Sequence, residues 1–157
     1  MIILKDTQAT ERLGIIIGEV AEPGDNLILT GDLGAGKTTL TKGIAKGLAI
    51  VQMIKSPTYT IIREYQQGKI PLYHMDVYRI DSGADDLGLD EYFEGEGLSV
   101  IEWGRQLGDY QPEDFLELLL HKDIENDQRR KAELIAHGEQ GSALKERIQE
   151  VWEQENE

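Results

Sequence analysis

The sequence contains no cysteine. That absence excludes a disulfide framework, a thiolate metal site and a cysteine nucleophile. Cationic side chains are also scarce. Lys plus Arg number 16 against 30 Asp plus Glu, for a formal net charge of −14. Affinity for a phosphate backbone requires surplus Lys and Arg, so direct gripping of nucleic acid is not expected. A polybasic membrane patch is excluded on the same ground. Long apolar runs are missing too: Ile15–Ile17 and Leu118–Leu120 fall far below a transmembrane span. The N-terminal Met1–Asp6 stretch lacks the basic start and apolar length of a signal peptide. There is no internal repeat and no Pro/Gly/Ser linker. The 157 residues, 39% of them hydrophobic, suit one domain with a real core, expected in the cytoplasm.

What is present reads as alternating strands and helices. Asp6 can cap a helix to about Val20, with Ala9, Leu13, Ile16, Ile17 and Val20 on one stripe. The run Leu27–Thr30 is bounded by a turn and reads as a buried strand. A helix from about Lys37 to Leu48 carries Leu40, Ile44 and Leu48 at a spacing of four. Residues 60–65 and 72–78 are rich in β-branched and aromatic residues around Gln66–Lys69, which predicts a β-hairpin. A short helix is expected around Leu87–Phe93, and a buried strand over Leu98–Ile101 ending on Glu102–Trp103. Phe115–His121 and Ala132–His137 are strand candidates about a turn at 125–127, although Leu118–Leu120 also suits a helix. Ser142 can cap a last helix bearing Leu144, Ile148, Val151 and Trp152. The mixture defines the class as α/β.

Gly31–Thr38 fits G-x-x-x-x-G-K-[ST] at every fixed position. Glycines let the backbone curl so that successive N–H groups face phosphate oxygens, and the following helix adds its N-terminal dipole. Lys37 is placed to reach the β- and γ-phosphates, the Thr38 hydroxyl to ligate Mg²⁺, and Thr39 to contact the α-phosphate. At this chain's composition a chance match is on the order of one in a hundred, and the flanking strand and helix sharpen it further.

Such a loop needs a carboxylate at the end of a neighbouring strand to hold the Mg²⁺ shell. Glu102 is the candidate. Trp103 beside it either packs over the nucleotide or is a core aromatic. His74, Asp76 and Tyr78 share a strand face by alternation. That face either brings Asp76 to the γ-phosphate or the attacking water, or belongs to a solvated edge strand. Ser56–Thr60 lies where P-loop enzymes place a mobile loop whose Thr, here Thr58, senses the γ-phosphate; it also reads as an ordinary loop with a proline turn. His121 and His137 have no His, Asp or Glu at ligand spacing and are expected to be structural. Seven acids between Asp81 and Glu96, with no Lys or Arg among them, form either a solvated surface or a docking face for a basic partner. The Asn-Lys-x-Asp signature of guanine specificity is missing, and the arginines are too scattered for the lid of a small-molecule kinase, which remains the alternative.

Taken in order, Gly31–Thr39, Ser56–Thr60, Tyr73–Arg79, Leu87–Phe93 and Ile101–Trp103 closely resemble the bacterial TsaE family. That family supports threonylcarbamoylation of the adenosine next to the anticodon in tRNA. The resemblance implies that Gly34, Ala35, Gly36, Lys37, Thr38 and Thr39 hold the phosphates of ATP, and Thr38 with Glu102 the Mg²⁺. Asp76 and Thr58 would serve hydrolysis or γ-phosphate sensing, with Thr7 and Arg130 approaching the nucleoside. It further implies a weak ATPase that switches a complex of the proteins TsaD and TsaB. The expected architecture is one P-loop NTPase-like domain over residues 1–157. It is a three-layer α/β sandwich with a central, largely parallel sheet and a β-hairpin.

Overall fold

The computed structural model describes residues 2–31, 35–51, 62–77, 89–103 and 111–156. Gly34, the Thr58 loop, Tyr78 and the first half of the acidic run (81–88) lie outside them. One seven-stranded sheet organises the described chain. Its strands are β1 (Ile2–Leu4), β2 (Asn26–Thr30), β3 (Ile62–Tyr65), β4 (Leu72–Asp76), β5 (Leu98–Glu102), β6 (Phe115–Lys122) and β7 (Arg130–His137). They lie in the order β1-β7-β6-β2-β5-β4-β3. The four central strands β6, β2, β5 and β4 are mutually parallel. Antiparallel partners finish both margins: the β3–β4 hairpin at one side, β7 and β1 at the other.

The helices are α1 (Thr7–Val20), α2 (Lys37–Gly47), α3 (Leu89–Phe93) and α4 (Gly138–Glu155). Alternation along the strands splits their apolar side chains between two faces. Leu27, Leu29, Val100 and Leu118 join Leu13, Ile16 and Ile17 of α1, Leu40 and Ile44 of α2, and Leu144 and Ile148 of α4 in one core. Ile28, Met75 and Ile101 point the other way, onto Leu89 and Phe93 of α3. The result is the expected sandwich of helices, sheet and helix. Each of these fully buried aliphatic side chains contributes about 2 kcal/mol.

Several local expectations hold. Asp6 caps α1, its Oδ1 accepting from the Ala9 N–H at 2.8 Å. The Leu118–Leu120 run is strand, because its register with β7 places Leu118 and Leu120 in the core. Two readings need correction. Ser142 does not cap the last helix, which begins four residues earlier. Gly138, at a φ of 84°, makes the bend out of β7, and the Asp114 carboxylate sits where a side chain at 138 would lie. The solvated edge strand considered for His74 and Asp76 is also excluded. β4 is interior, paired on both sides, and His74 is only 3% exposed. The three-residue β1 was not anticipated at all.

Backbone contact between α1 and α2 is unusually close. A Cβ added at Gly14 would stand 2.3 Å from the Leu40 carbonyl oxygen, and one at Gly43 would stand 2.3 Å from that of Glu11. Gly18 and Gly47 repeat the pattern one turn on. Small residues four apart on both helices let the two backbones touch, and this seats α2, the helix that follows the phosphate loop.

Candidate nucleotide site at the carboxyl ends of the central strands

β2 lies between β5 and β6, and the chain leaves its carboxyl end through the Gly31–Thr38 loop into α2. Crevices outside the carboxyl ends of parallel strands are where open α/β sheets bind ligands. Gly36 stands at the α2 N-cap with a φ of 105° and offers no side-chain cap. The first-turn N–H groups of Lys37, Thr38 and Thr39 therefore face outward with the positive end of the helix dipole. Thr38 is exposed and Thr39 half-buried.

The parallel register sets Leu29 of β2 beside Glu102 of β5, and Asp76 of β4 on the other side of Glu102. The loop lysine and both acids thus arrive from adjacent strand ends. Lys37, 9% exposed, holds its Nζ 3.7 Å from Glu102 Oε1 and 4.4 Å from the centroid of the Trp103 ring. Trp103 also packs against the α3-side core, as its reading as a core aromatic expected. Its backbone has a φ of 62°, a left-handed conformation that a bulky residue rarely adopts and that marks stored strain beside the site. The second carboxylate oxygen of Glu102 lies 2.7 Å from His74 Nε2. Asp76 is half-buried at the end of β4, where the Val77 N–H donates to the Glu102 carbonyl at 3.1 Å.

Arg130, the first residue of β7, donates from Nε to the Ala35 carbonyl oxygen at 2.9 Å and from Nη1 to the carbonyls of Asp127 and Arg129. It ties the phosphate loop to the β6–β7 turn. Thr7 opens α1 and is exposed; Thr10, one turn on, would lie 3.7 Å from a Cβ added at Gly36. On the far side of the loop is a cavity of about 340 Å³, walled by Thr30, Gly31, Ala35, Trp103, Leu119, Leu120, His121 and Lys122.

Two polar features at the site were not among the candidates. One is His74, whose alternation with Asp76 was visible but whose contact with Glu102, 28 residues away, was not. The other is the nearly buried Glu117, which accepts from the Thr30 hydroxyl at 2.8 Å at the root of the loop. His121, expected to be structural, lies 3.7 Å from Glu133 across the hairpin. His137 stacks on Phe115. Among the described residues no cluster of three or more His, Asp or Glu could hold a metal by itself. A metal held by Glu102 and Thr38 would therefore take its other ligands from phosphate and water, as Mg²⁺ does at phosphate sites. No helix among the described residues is long and apolar enough to cross a membrane.

The family model described as threonylcarbamoyl adenosine biosynthesis protein TsaE matches residues 4–132. A Bacillus subtilis tRNA threonylcarbamoyladenosine biosynthesis protein TsaE is 48% identical over 115 residues, 73% of each chain. The Nostoc protein of the same name is 45% identical over 124 residues, 76% of each chain. The crystal structure of Bacillus subtilis YdiB superimposes with a TM-score of 0.83 at 38% identity, over 96% of this chain and 93% of that one. The family model's match over most of the chain, together with these relatives, makes this protein a member of the TsaE family of tRNA threonylcarbamoyladenosine biosynthesis proteins.

Proposed function

We propose that the chain acts as one Mg²⁺-dependent P-loop ATPase domain, weak alone, that switches the TsaD–TsaB complex during threonylcarbamoylation of tRNA in the cytoplasm. The observation that supports this reading best is the convergence of Lys37, at the start of α2, and Glu102, at the end of β5, 3.7 Å apart at the mouth of the Gly31–Thr38 loop. Lys37 rests between Glu102 and the face of Trp103, an arrangement suited to a site waiting for phosphate. On binding, its ammonium transfers from Glu102 to β- and γ-phosphate oxygens, and the N–H groups from Gly34 to Thr39 surround the phosphates. Glu102 is thereby released to hold Mg²⁺ together with the Thr38 hydroxyl. Mg²⁺ supplies neutralisation of charge on the phosphate oxygens. Asp76 then orients the attacking water or senses the γ-phosphate with Thr58, and Trp103, Thr7 and Arg130 flank the nucleotide. The partner reads the closed state, and hydrolysis resets it. A net charge of −14 suits a protein that serves tRNA modification through protein partners rather than by gripping tRNA.

The test is binding followed by capture. Lys37→Ala should lose nucleotide binding in a titration; wild-type affinity in that variant would refute the phosphate-loop assignment. Immobilised TsaD and TsaB should retain the wild-type chain to different extents with and without ATP and Mg²⁺, while it releases free phosphate. Equal retention in both conditions would remove the switch.

A further inference from the structure

Glu102 is held by two groups, and the resemblance that located the site gave a role to only one of them. His74 stands on β4, two residues before Asp76, and its Nε2 meets Glu102 Oε2 at 2.7 Å. The ring is 3% exposed, and its other nitrogen, Nδ1, is buried with no hydrogen-bond partner among the described residues. A carboxylate oxygen only accepts, so Nε2 carries a proton and donates it to Glu102. The unpartnered Nδ1 is the sign of a cost. A buried polar atom without a partner destabilises the fold, and an aliphatic residue such as the neighbouring Met75 would avoid that. Among the described residues, the only side-chain hydrogen bond His74 gains in return is the one to Glu102.

The register explains what this bond accomplishes. Glu102 is the last residue of β5, its backbone held between Leu29 of β2 and Asp76 of β4, so its carboxylate is oriented by the groups its two oxygens meet. Lys37 engages Oε1 and His74 engages Oε2. When phosphate draws Lys37 away, the His74 bond is the restraint left on the carboxylate. We propose that His74 is a positioning residue: by donating from Nε2 it fixes the rotamer of Glu102, so that Oε1 stays aimed at the phosphate loop and is ready for the metal once Lys37 departs. This rests on the nucleotide reading above and adds to it a residue that touches neither nucleotide nor metal.

Side-chain geometry supplies the test. The amide nitrogen of Gln can occupy the place of imidazole Nε2, that of Asn only the place of Nδ1, and Leu offers no donor. ADP affinity of the full chain is measured by calorimetry in EDTA and again in MgCl₂, with thermal melting as a folding control. In EDTA all variants should bind ADP as the wild type does. The gain in affinity from Mg²⁺ should fall about tenfold or more in His74→Asn and His74→Leu, the scale for losing a group that orients a metal ligand. It should be restored to within about threefold in His74→Gln. His74→Leu should melt no lower than wild type, since it removes an unpartnered atom. An undiminished Mg²⁺ gain in Asn or Leu, or a loss in Gln equal to that in Asn, overturns the proposal. Because variants can fail to fold, the wild-type ring provides a second reading. Nitrogen NMR should find the Nε2–H tautomer before and after Mg²⁺–ADP addition, and an Nδ1–H tautomer refutes the assignment. Failure of the wild type to bind ADP at all would instead refute the nucleotide reading.

Discussion

At the scale of single residues, the proposed nucleotide site is a competition for one lysine. Glu102 opposes Lys37 at 3.7 Å, and both are mostly buried, so the attraction is less screened than at a surface. A nucleotide entering without metal must displace Glu102 and bring its own charge toward that carboxylate. Glu102→Gln should therefore bind ADP more tightly than wild type in EDTA, by a few-fold, and lose most of the gain conferred by Mg²⁺. Calorimetry in the two conditions checks both signs, and weaker binding in EDTA would mean that Glu102 does not restrain Lys37. Hydrolysis should fall by roughly a hundredfold or more in the same variant, since the carboxylate is asked to organise charge at the transferred group. The candidate residues at this scale were legible because their chemistry is tied to a motif. Lys37 and Thr38 stand inside it, and Glu102 follows Leu98–Ile101, a run that reads as a buried strand and forms β5. His74 was not assignable. Its meaning depends on a β4–β5 register joining positions 28 residues apart, and no local pattern encodes that pairing.

At the scale of elements, the seat of α2 matters as much as the loop that precedes it. Gly14 and Gly18 of α1 face Gly43 and Gly47 of α2 so closely that a methyl group on any of them would overlap a carbonyl oxygen of the other helix. Gly43→Ala forces the helices apart, against a gain in helix propensity of about 1 kcal/mol. Overpacking should win, for a net loss of about 2 kcal/mol. Because α2 carries Lys37, nucleotide affinity should fall in the same variant. Urea unfolding with and without ADP separates the two effects; unchanged stability would show that the helices have room to move. The four-residue glycine spacing is visible in the sequence on both helices, but which helix each faces is a tertiary fact. The same distinction explains β1. Three residues are too few to show alternation, and Ile2–Leu4 is a strand only because Ala132 to Arg130 of β7 offer it an edge. The long, strongly patterned α1 was legible, β6 stayed open between strand and helix until its pairing with β7 settled it, and the start of α4 was misplaced. Ser142 is a good cap by type, but the turn at Gly138 with the Asp114 carboxylate against it begins the helix earlier.

At the scale of the whole molecule, α4 lies beyond the residues matched by the family model, yet it completes the core. Leu144 and Ile148 are fully buried against α1 and the sheet, and Arg12 of α1 pairs with Glu155. Arg147 reaches the Val20 carbonyl, Glu22 and Asp25, so one guanidinium joins α4 to the chain between α1 and β2. Asp25 is 1% exposed and also accepts from the Glu22 N–H and from Gln140. Burial raises its carboxyl above the ordinary value of 3.8, and the bonds from Glu22, Arg147 and Gln140 offset that only in part. A raised value means that the folded chain holds this proton more firmly than the unfolded chain does. The Asp25 contribution to stability is then fully present below the ordinary carboxylate value and is lost as pH rises through the raised one. Asp25→Asn keeps the size and an acceptor for the Glu22 N–H but does not titrate. The stability of wild type relative to this variant should decline as pH rises from about 4 and level off above the raised value. Urea unfolding of both proteins at a series of pH values gives that difference directly. A difference that grows with pH would mean that Arg147 more than compensates the burial of Asp25, making the link between α4 and β2 a net attraction at neutral pH rather than a charge tolerated for its geometry.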